Sequence, residues 1–160
     1  VYLLVRGVDA GDPLSASDFD GSTAARANSG GSVTSGTWHH GGATYSAINA
    51  RSVFLDGART DNSTSVTAFS ATDRTRIGAL IAGNSHWSGQ IAEVAIWDVV
   101  LTDAEMLVLA AGFSPLVVRP SSLRLYLPLW GNIFEYVGGR TFTDSNGSTN
   151  ANIHPRIYLR

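Results

Sequence analysis

Three glutamates, a pair of adjacent histidines and a tryptophan set in a polar loop are the residues of this chain with chemistry to offer. Two carboxylates about 5–5.5 Å apart cleave a glycosidic bond with retention, and a separation of about 6.5–9.5 Å gives inversion. Glu93, Glu105 and Glu135 are dispersed along the chain, and Glu105 follows Thr102 by three residues in the pattern of a helix capping box. Glu93 lies between apolar neighbours, where it reads as an acceptor for loop amides or an arginine. His39 and His40 are consecutive, so on a strand they point to opposite faces and cannot chelate one metal together. His86 and Trp87 stand in a Gly/Asn/Ser loop with Asn84 nearby. An indole beside polar groups can stack on the apolar C–H face of a sugar, and Asp61, Asn84, His86 and Trp87 are the candidate glycan contacts. Calcium requires six to eight oxygens. Asp18, Asp20, Asp61, Asn62, Asp73 and Asn84 are too scattered to form a compact loop, so the fold would have to assemble any site. No phosphate-cradling glycine loop and no Ser/His/Asp triad is legible.

The elements that must position these residues are short. Val1 to Arg6 reads as a strand, while Gly7 to Gly36 is Gly-, Ser-, Ala- and Asp-rich and predicts loop or short edge strands. Strands are expected over Thr37 to Ser46 and Arg51 to Asp56, with Asp56-Gly57 as a hairpin turn. Further strands are expected at Ser65 to Phe69, Thr75 to Leu80 and Gln90 to Asp98. The last has apolar residues on both faces and predicts a strand covered on both sides. A helix at about 103–111 starts at the Thr102 box, and Gly112 with Pro115 stops it. Leu123, Leu125, Leu127 and Leu129 alternate with Arg124, Tyr126 and Pro128, as on a half-buried strand. The polar tail offers a strand candidate at Arg140 to Asp144 and an extended end at His154 to Leu159. The pattern predicts an all-β chain: an antiparallel sandwich with one short helix and an extended C-terminal tail. The expected division is a sandwich over 1–112 and an extension over 113–160 that packs on the sandwich or on neighbouring chains.

At 160 residues the chain can bury a core without staples, and cysteine is absent, which excludes disulfides and thiolate metal sites. Eleven basic against 13 acidic groups give a net charge of −2, which offers no electrostatic case for nucleic acid or an anionic membrane. Every basic residue is arginine, a side chain suited to bidentate pairing with carboxylates in assemblies. No apolar run approaches the roughly 20 residues of a membrane helix. The strand-like start without a preceding cap or loop predicts that the first strands of the fold lie outside this chain.

An ordered series of short motifs carries a resemblance: Trp38-His39-His40, Ala43-Thr44-Tyr45, Val53-Phe54-Leu55-Asp56-Gly57, Ile77-Gly78, Ser88-Gly89-Gln90-Ile91-Ala92-Glu93-Val94-Ala95-Ile96-Trp97 and Leu101-Thr102-Asp103-Ala104-Glu105. It resembles the laminin-G/pentraxin-like branch of the concanavalin A-like lectin/glucanase superfamily over about residues 37 to 112. The resemblance implies that the antiparallel sandwich is a two-sheet jelly roll. It also implies that an enzyme of this fold would carry Glu-x-Asp-x-x-Glu on one strand face, which this chain lacks. The stretches from Gly112 to Leu129 and His154-Pro155-Arg156 are similar to extensions of laminin-G-like proteins from tailed phages and prophages. The implied role is a non-enzymatic structural or decoration protein of a virion, or else a carbohydrate-binding module for host recognition or surface adhesion. Either setting places it on a virion surface or outside the cell. The expected partners are other assembly subunits, including copies of itself, and a cell-surface glycan. No cofactor is expected, and calcium is the one ion the resemblance allows. Leu116, Val117, Tyr126, Trp130 and Ile157 are the expected assembly contacts.

Overall fold

The computed structural model describes residues 1–7, 9–19, 24–65, 75–81, 84–129 and 133–144. One sheet runs β1 (Tyr2–Val5), β2 (Pro13–Phe19), β3 (Ala24–Ser32), all antiparallel, with Tyr2 opposite Ser17 and Ala16 opposite Ala27. A second runs β4 (Gly41–Ala47), β5 (Ala50–Leu55), β6 (Ala58–Asn62), with Tyr45 opposite Arg51 and Arg51 opposite Asn62. Leu14, Ala16 and Ala27 of the first sheet close on Val53 and Leu55 of the second, and this apolar cluster is the filling of a sandwich. Two smaller antiparallel ladders are also present: β7 (Ala79–Ile81) with β8 (Asn84–His86), and β9 (Val94–Trp97) with β10 (Leu123–Leu127).

The residues from Gly7 to Gly36 depart from their reading as loop or edge. They contain β2, central in its sheet with residues 13–18 all buried, and the nine-residue β3. The alternation is present but written in small side chains: Ala25 and Ala27 are buried while Ala24 and Arg26 are exposed. Small residues carry little hydropathy, so the period of two is real and its amplitude low.

Across the sandwich, Arg51 Nε donates to Asp18 Oδ2 at 2.8 Å, and both side chains are almost wholly buried, at 0% and 4% exposure. The rest of the guanidinium donates to Asn62 Oδ1, the Thr64 carbonyl and the Ile48 carbonyl. Asp18 Oδ1 is buried without a hydrogen-bond donor among the described residues.

The outer face of β5 carries a third layer. Phe54 packs with Leu101, Met106 and Val118, and Trp97 and Leu109 lean on the group. This seats helix α1 (Asp103–Ala110) over the β5–β6 hairpin. Asp56 and Gly57 take φ of 51° and 84° in that turn, both left-handed, as a type I′ connection requires. A Cβ on Gly57 would sit 2.6 Å from Leu107 Cδ2, so the glycine also admits the helix. The capping box forms as read, with Thr102 Oγ1 accepting from the Glu105 amide and Glu105 accepting from the Thr102 amide. Gly112 (φ 88°) closes the other end in a Schellman pattern, Gly112 N–H to the Leu109 carbonyl and Phe113 N–H to that of Val108.

Several strand expectations are shortened or removed. Thr37 to Ser46 begins its strand only at Gly41, because the backbone of His40 bonds to Asp56 instead of a ladder partner. Gln90 to Asp98 is extended only over Val94–Trp97: Glu93 has φ of 55°, which breaks the strand, and Ile96 is 44% exposed, so β9 is not covered on both sides. Thr75 to Leu80 is replaced by the shorter β7, and β6 is the second strand of the hairpin that the Asp56-Gly57 turn implies. Arg140 to Asp144 forms no strand. Ser65 lies outside any strand, and the rest of the Ser65 to Phe69 candidate and all of His154 to Leu159 lie outside the described residues. Among the described residues, no helix is long and apolar enough to cross a membrane.

Arg51→Met should cost about 3–5 kcal/mol in urea unfolding, because it strands a buried carboxylate. Pairing it with Asp18→Leu should recover much of that loss. A single variant within about 0.5 kcal/mol of wild type would show that the pair does not hold the sheets.

Candidate functional site

Of the four residues read as glycan contacts, three meet on one hairpin. Asn84 and His86 lie on β8, opposite Ile81 and Ala79, with Ser85 between them at φ 62°. Trp87 follows at once and is 43% exposed. It is also fixed: its amide donates to the Gly78 carbonyl at 2.7 Å and its indole Nε1 to the Gln90 carbonyl at 3.3 Å. The ring crosses Gly89, where a Cβ would come within 2.8 Å of Nε1, so glycine is required for this pose. An indole that is half in water yet held at both ends is a preformed stacking surface, with little rotamer entropy left to lose on binding. His86 beside it is exposed. Asp61 is on β6 of a different sheet. Hydrogen bonds first from Ser52 and then from Arg59, whose Nε lies at 2.7 Å, hold its carboxyl below the usual range.

The glutamates are engaged in structure. Tyr126 Oη donates to Glu93 Oε2 at 2.6 Å, and burial followed by this carboxylate pushes the phenol well above its ordinary value. Glu105 is held at about 2 by Arg119, whose Nε lies at 2.5 Å, and by the Thr102 cap. For Glu135 burial works to raise the pKa, but four backbone N–H groups, of Tyr126, Val137, Gly138 and Arg140, outweigh it and hold the acid at about 2. These amides fold 135–140 into a turn that ends where the expected tail strand was to begin.

The histidine pair is likewise absorbed. His39 Nδ1 lies 2.7 Å from Asp56 Oδ2, and its Nε2 lies 2.8 Å from Thr34 Oγ1 and 3.1 Å from the Thr34 amide. The outline is that of a hydroxyl–imidazole–carboxylate relay. The amide must donate to Nε2, however, so this nitrogen is saturated from the side of Thr34 and the proton sits on Nδ1 toward Asp56. Its effect is to tie the 34–40 segment to the hairpin turn. His40 sits against Gly42, and burial lowers its pKa while the Asp56 charge works against that shift.

No three His, Asp or Glu side chains converge among the described residues. Of the oxygens considered for calcium, Asp18 and Asn62 are bonded to Arg51 and Asp61 to Arg59, while Asp20 and Asp73 lie outside the described residues.

Among the expected assembly contacts, Leu116 and Val117 are 38% and 42% exposed on a 3-10 turn, Pro115–Val117. Tyr126 is a correction: at 5% exposure and bonded to Glu93, it is consumed inside the chain. It stands on β10, which also carries the buried Leu125 and Leu127, so its phenol serves the β9–β10 ladder. Trp130 and Ile157 lie outside the described residues. The structure adds exposed apolar residues that sequence reasoning missed, among them Ile96, Leu107, Phe134 and Tyr136. Ile96 and Leu107 follow regular apolar spacing and gave no signal of exposure. Phe134 and Tyr136 flank a charge in a polar tail, and that context was the available sign.

A laminin-G-type family model, described as the concanavalin A-like lectin/glucanases superfamily, matches residues 2–106. No curated protein and no solved structure matches the chain.

Stability should fall with acid in two windows. His40 has its folded pKa below the unfolded value near 6.5, so the folded state binds fewer protons and stability declines as pH drops below about 6.5. Glu105 and Glu135, lowered from 4.5 to about 2, contribute stability that is present above 4.5 and lost as pH falls toward 2. Urea midpoints measured across pH should show both declines, and His40→Gln should remove the upper one alone.

Proposed function

Because the chain belongs to the laminin-G-type branch of the concanavalin A-like lectin/glucanase superfamily, we propose that it is a non-catalytic adhesive module that holds other molecules and breaks no bonds. The observation that carries this reading is the state of the glutamates. Glycoside hydrolysis needs one carboxyl to hold a proton near neutrality and a second to face it across the sugar. Here Glu105 and Glu135 are drawn to about 2 by partners within the fold, and Glu93 takes the Tyr126 hydroxyl. These are the only glutamates in the chain, and among the described aspartates Asp9, Asp18, Asp61, Asp98 and Asp103 each pair with an arginine.

The setting proposed is a structural or decoration subunit of a virion, in contact with other subunits and with copies of itself at the particle surface. The similarity of residues 112–129 and 154–156 to phage laminin-G-like extensions supports it, as do the exposed Leu116 and Val117. The second reading is a carbohydrate-binding module on an extracellular surface, and the pinned Trp87 favours it. The two are compatible on one jelly roll. Fold alone fixes neither, and no cofactor is invoked for either.

Sedimentation velocity should show concentration-dependent association that Leu116→Ser with Val117→Ser weakens, and a strict monomer at high concentration would count against subunit contacts. A glycan array read with and without calcium should give hits that Trp87→Ala reduces by about 2 kcal/mol, roughly thirtyfold. β-Glucan panels should release no reducing ends. Turnover abolished by Glu93→Gln would overturn the non-catalytic reading.

A further inference from the structure

Beyond the family-matched segment, residues 133–135 and 139–142 line an open surface cavity of about 300 Å³, the lower end of the range of small-molecule sites. Ile133, Phe134 and Phe142 supply apolar walls, and Glu135, Arg140 and Thr141 supply the polar lining. From this lining we propose that the cavity is a binding site for a carboxylate-bearing sugar, a uronate, whose ring lies on the phenylalanines and whose carboxylate pairs with Arg140.

Three features select that ligand. The first is charge. Glu135 lines the cavity as an anion, but each of its oxygens already takes two backbone N–H groups, so its hydrogen-bonding capacity is taken up within the turn. Arg140 is not answered in this way. Arg6, Arg51, Arg59, Arg119 and Arg124 each pair with a carboxylate. The Arg140 guanidinium donates through Nη1 to the Arg124 carbonyl and has no carboxylate partner among the described residues. Gly138 leaves room for it there, since a Cβ on that residue would overlap Nη1. A cation at the wall of a cavity, with donors left over, matches a bidentate carboxylate.

The second feature is the apolar wall. Phe134 is 61% exposed, yet its ring is set edge-on against Tyr136 at 5.2 Å, and Tyr136 lies 5.6 Å from Tyr126, which is buried. The chain of rings fixes an exposed aromatic surface that a sugar C–H face covers. The third is access. Gly139 has φ of 61° and open space where a side chain would project, so the cavity wall is bare backbone at that point. Thr141 adds a hydroxyl for the ring oxygens of the sugar. This site is separate from the Trp87 hairpin and holds whether or not that hairpin binds glycan.

Ligand-observed NMR and calorimetry on the full chain test it, with sodium glucuronate and galacturonate against glucose, galactose and sodium benzoate. The uronates should bind at least about tenfold more tightly than the neutral sugars and than benzoate, and binding should weaken with added salt. Arg140→Met should lose about tenfold or more, and so should Phe134→Ala, whose exposed position leaves the fold intact, while Trp87→Ala should change nothing. Phe134→Ala carries the test if Arg140→Met fails to fold. Absence of saturable uronate binding, equal binding of neutral sugars, preference for benzoate, or indifference to Phe134→Ala would each overturn the proposal. Loss of glycan-array signal in Trp87→Ala with uronate binding intact separates this site from the hairpin.

Discussion

The sandwich depends on one buried ion pair. Arg51 and Asp18 sit in the interior between two sheets whose facing side chains are largely alanine, serine, valine and leucine. Small side chains let the sheets approach but bury little apolar area per residue, so that interface has modest hydrophobic stabilisation to draw on. A charge in such an interior is tolerable only with its donors satisfied, and the guanidinium satisfies them from β2, β6 and two loop carbonyls at once. The pair thereby fixes which residue of β2 faces which residue of β5. A one-residue slip would turn Arg51 outward and bury Ser52 and Phe54 in its place.

The same use of acidic groups recurs through the molecule. Asp56 locks the histidine segment, Glu105 caps the helix and meets Arg119, Glu135 gathers the amides of its turn, and Asp98 takes Arg124. Most of these are partly exposed and individually weak. Their collective consequence is chemical. For Glu105 and Glu135 that consequence is a pKa held at about 2, far below what a proton carrier near neutrality needs.

What was legible in the sequence was whatever large side chains and turn chemistry write clearly. The Thr102–Glu105 cap, the Gly112 stop and the Asp56-Gly57 hairpin stand where their residues imply, and so does the Leu123–Leu127 strand, although Tyr126 on its expected outer face is buried. The core strands β2 and β3 were not legible, because alanine and serine alternate without contrast. Trp87 was found as a loop aromatic, but its anchoring by Gly89 and Gln90 exists only once the loop closes. Glu135 stood in the sequence only as one of three dispersed glutamates. Nothing local announces that its carboxylate collects amides from both Tyr126 and its own turn, since that needs β10 brought alongside. Tyr126 failed as a surface contact for the related reason that its partner, Glu93, is distant in sequence.

The claim that unites the fold with the function is that the glutamate carboxyls are structural acceptors. A carbon-detected NMR titration of the three glutamate side chains, assigned by substitution, measures this most directly. Glu105 and Glu135 are expected to inflect near 2, well below the ordinary carboxylate range. A glutamate that keeps its proton up to about pH 6, as a general acid in a sugar-cleaving site must, would contradict it.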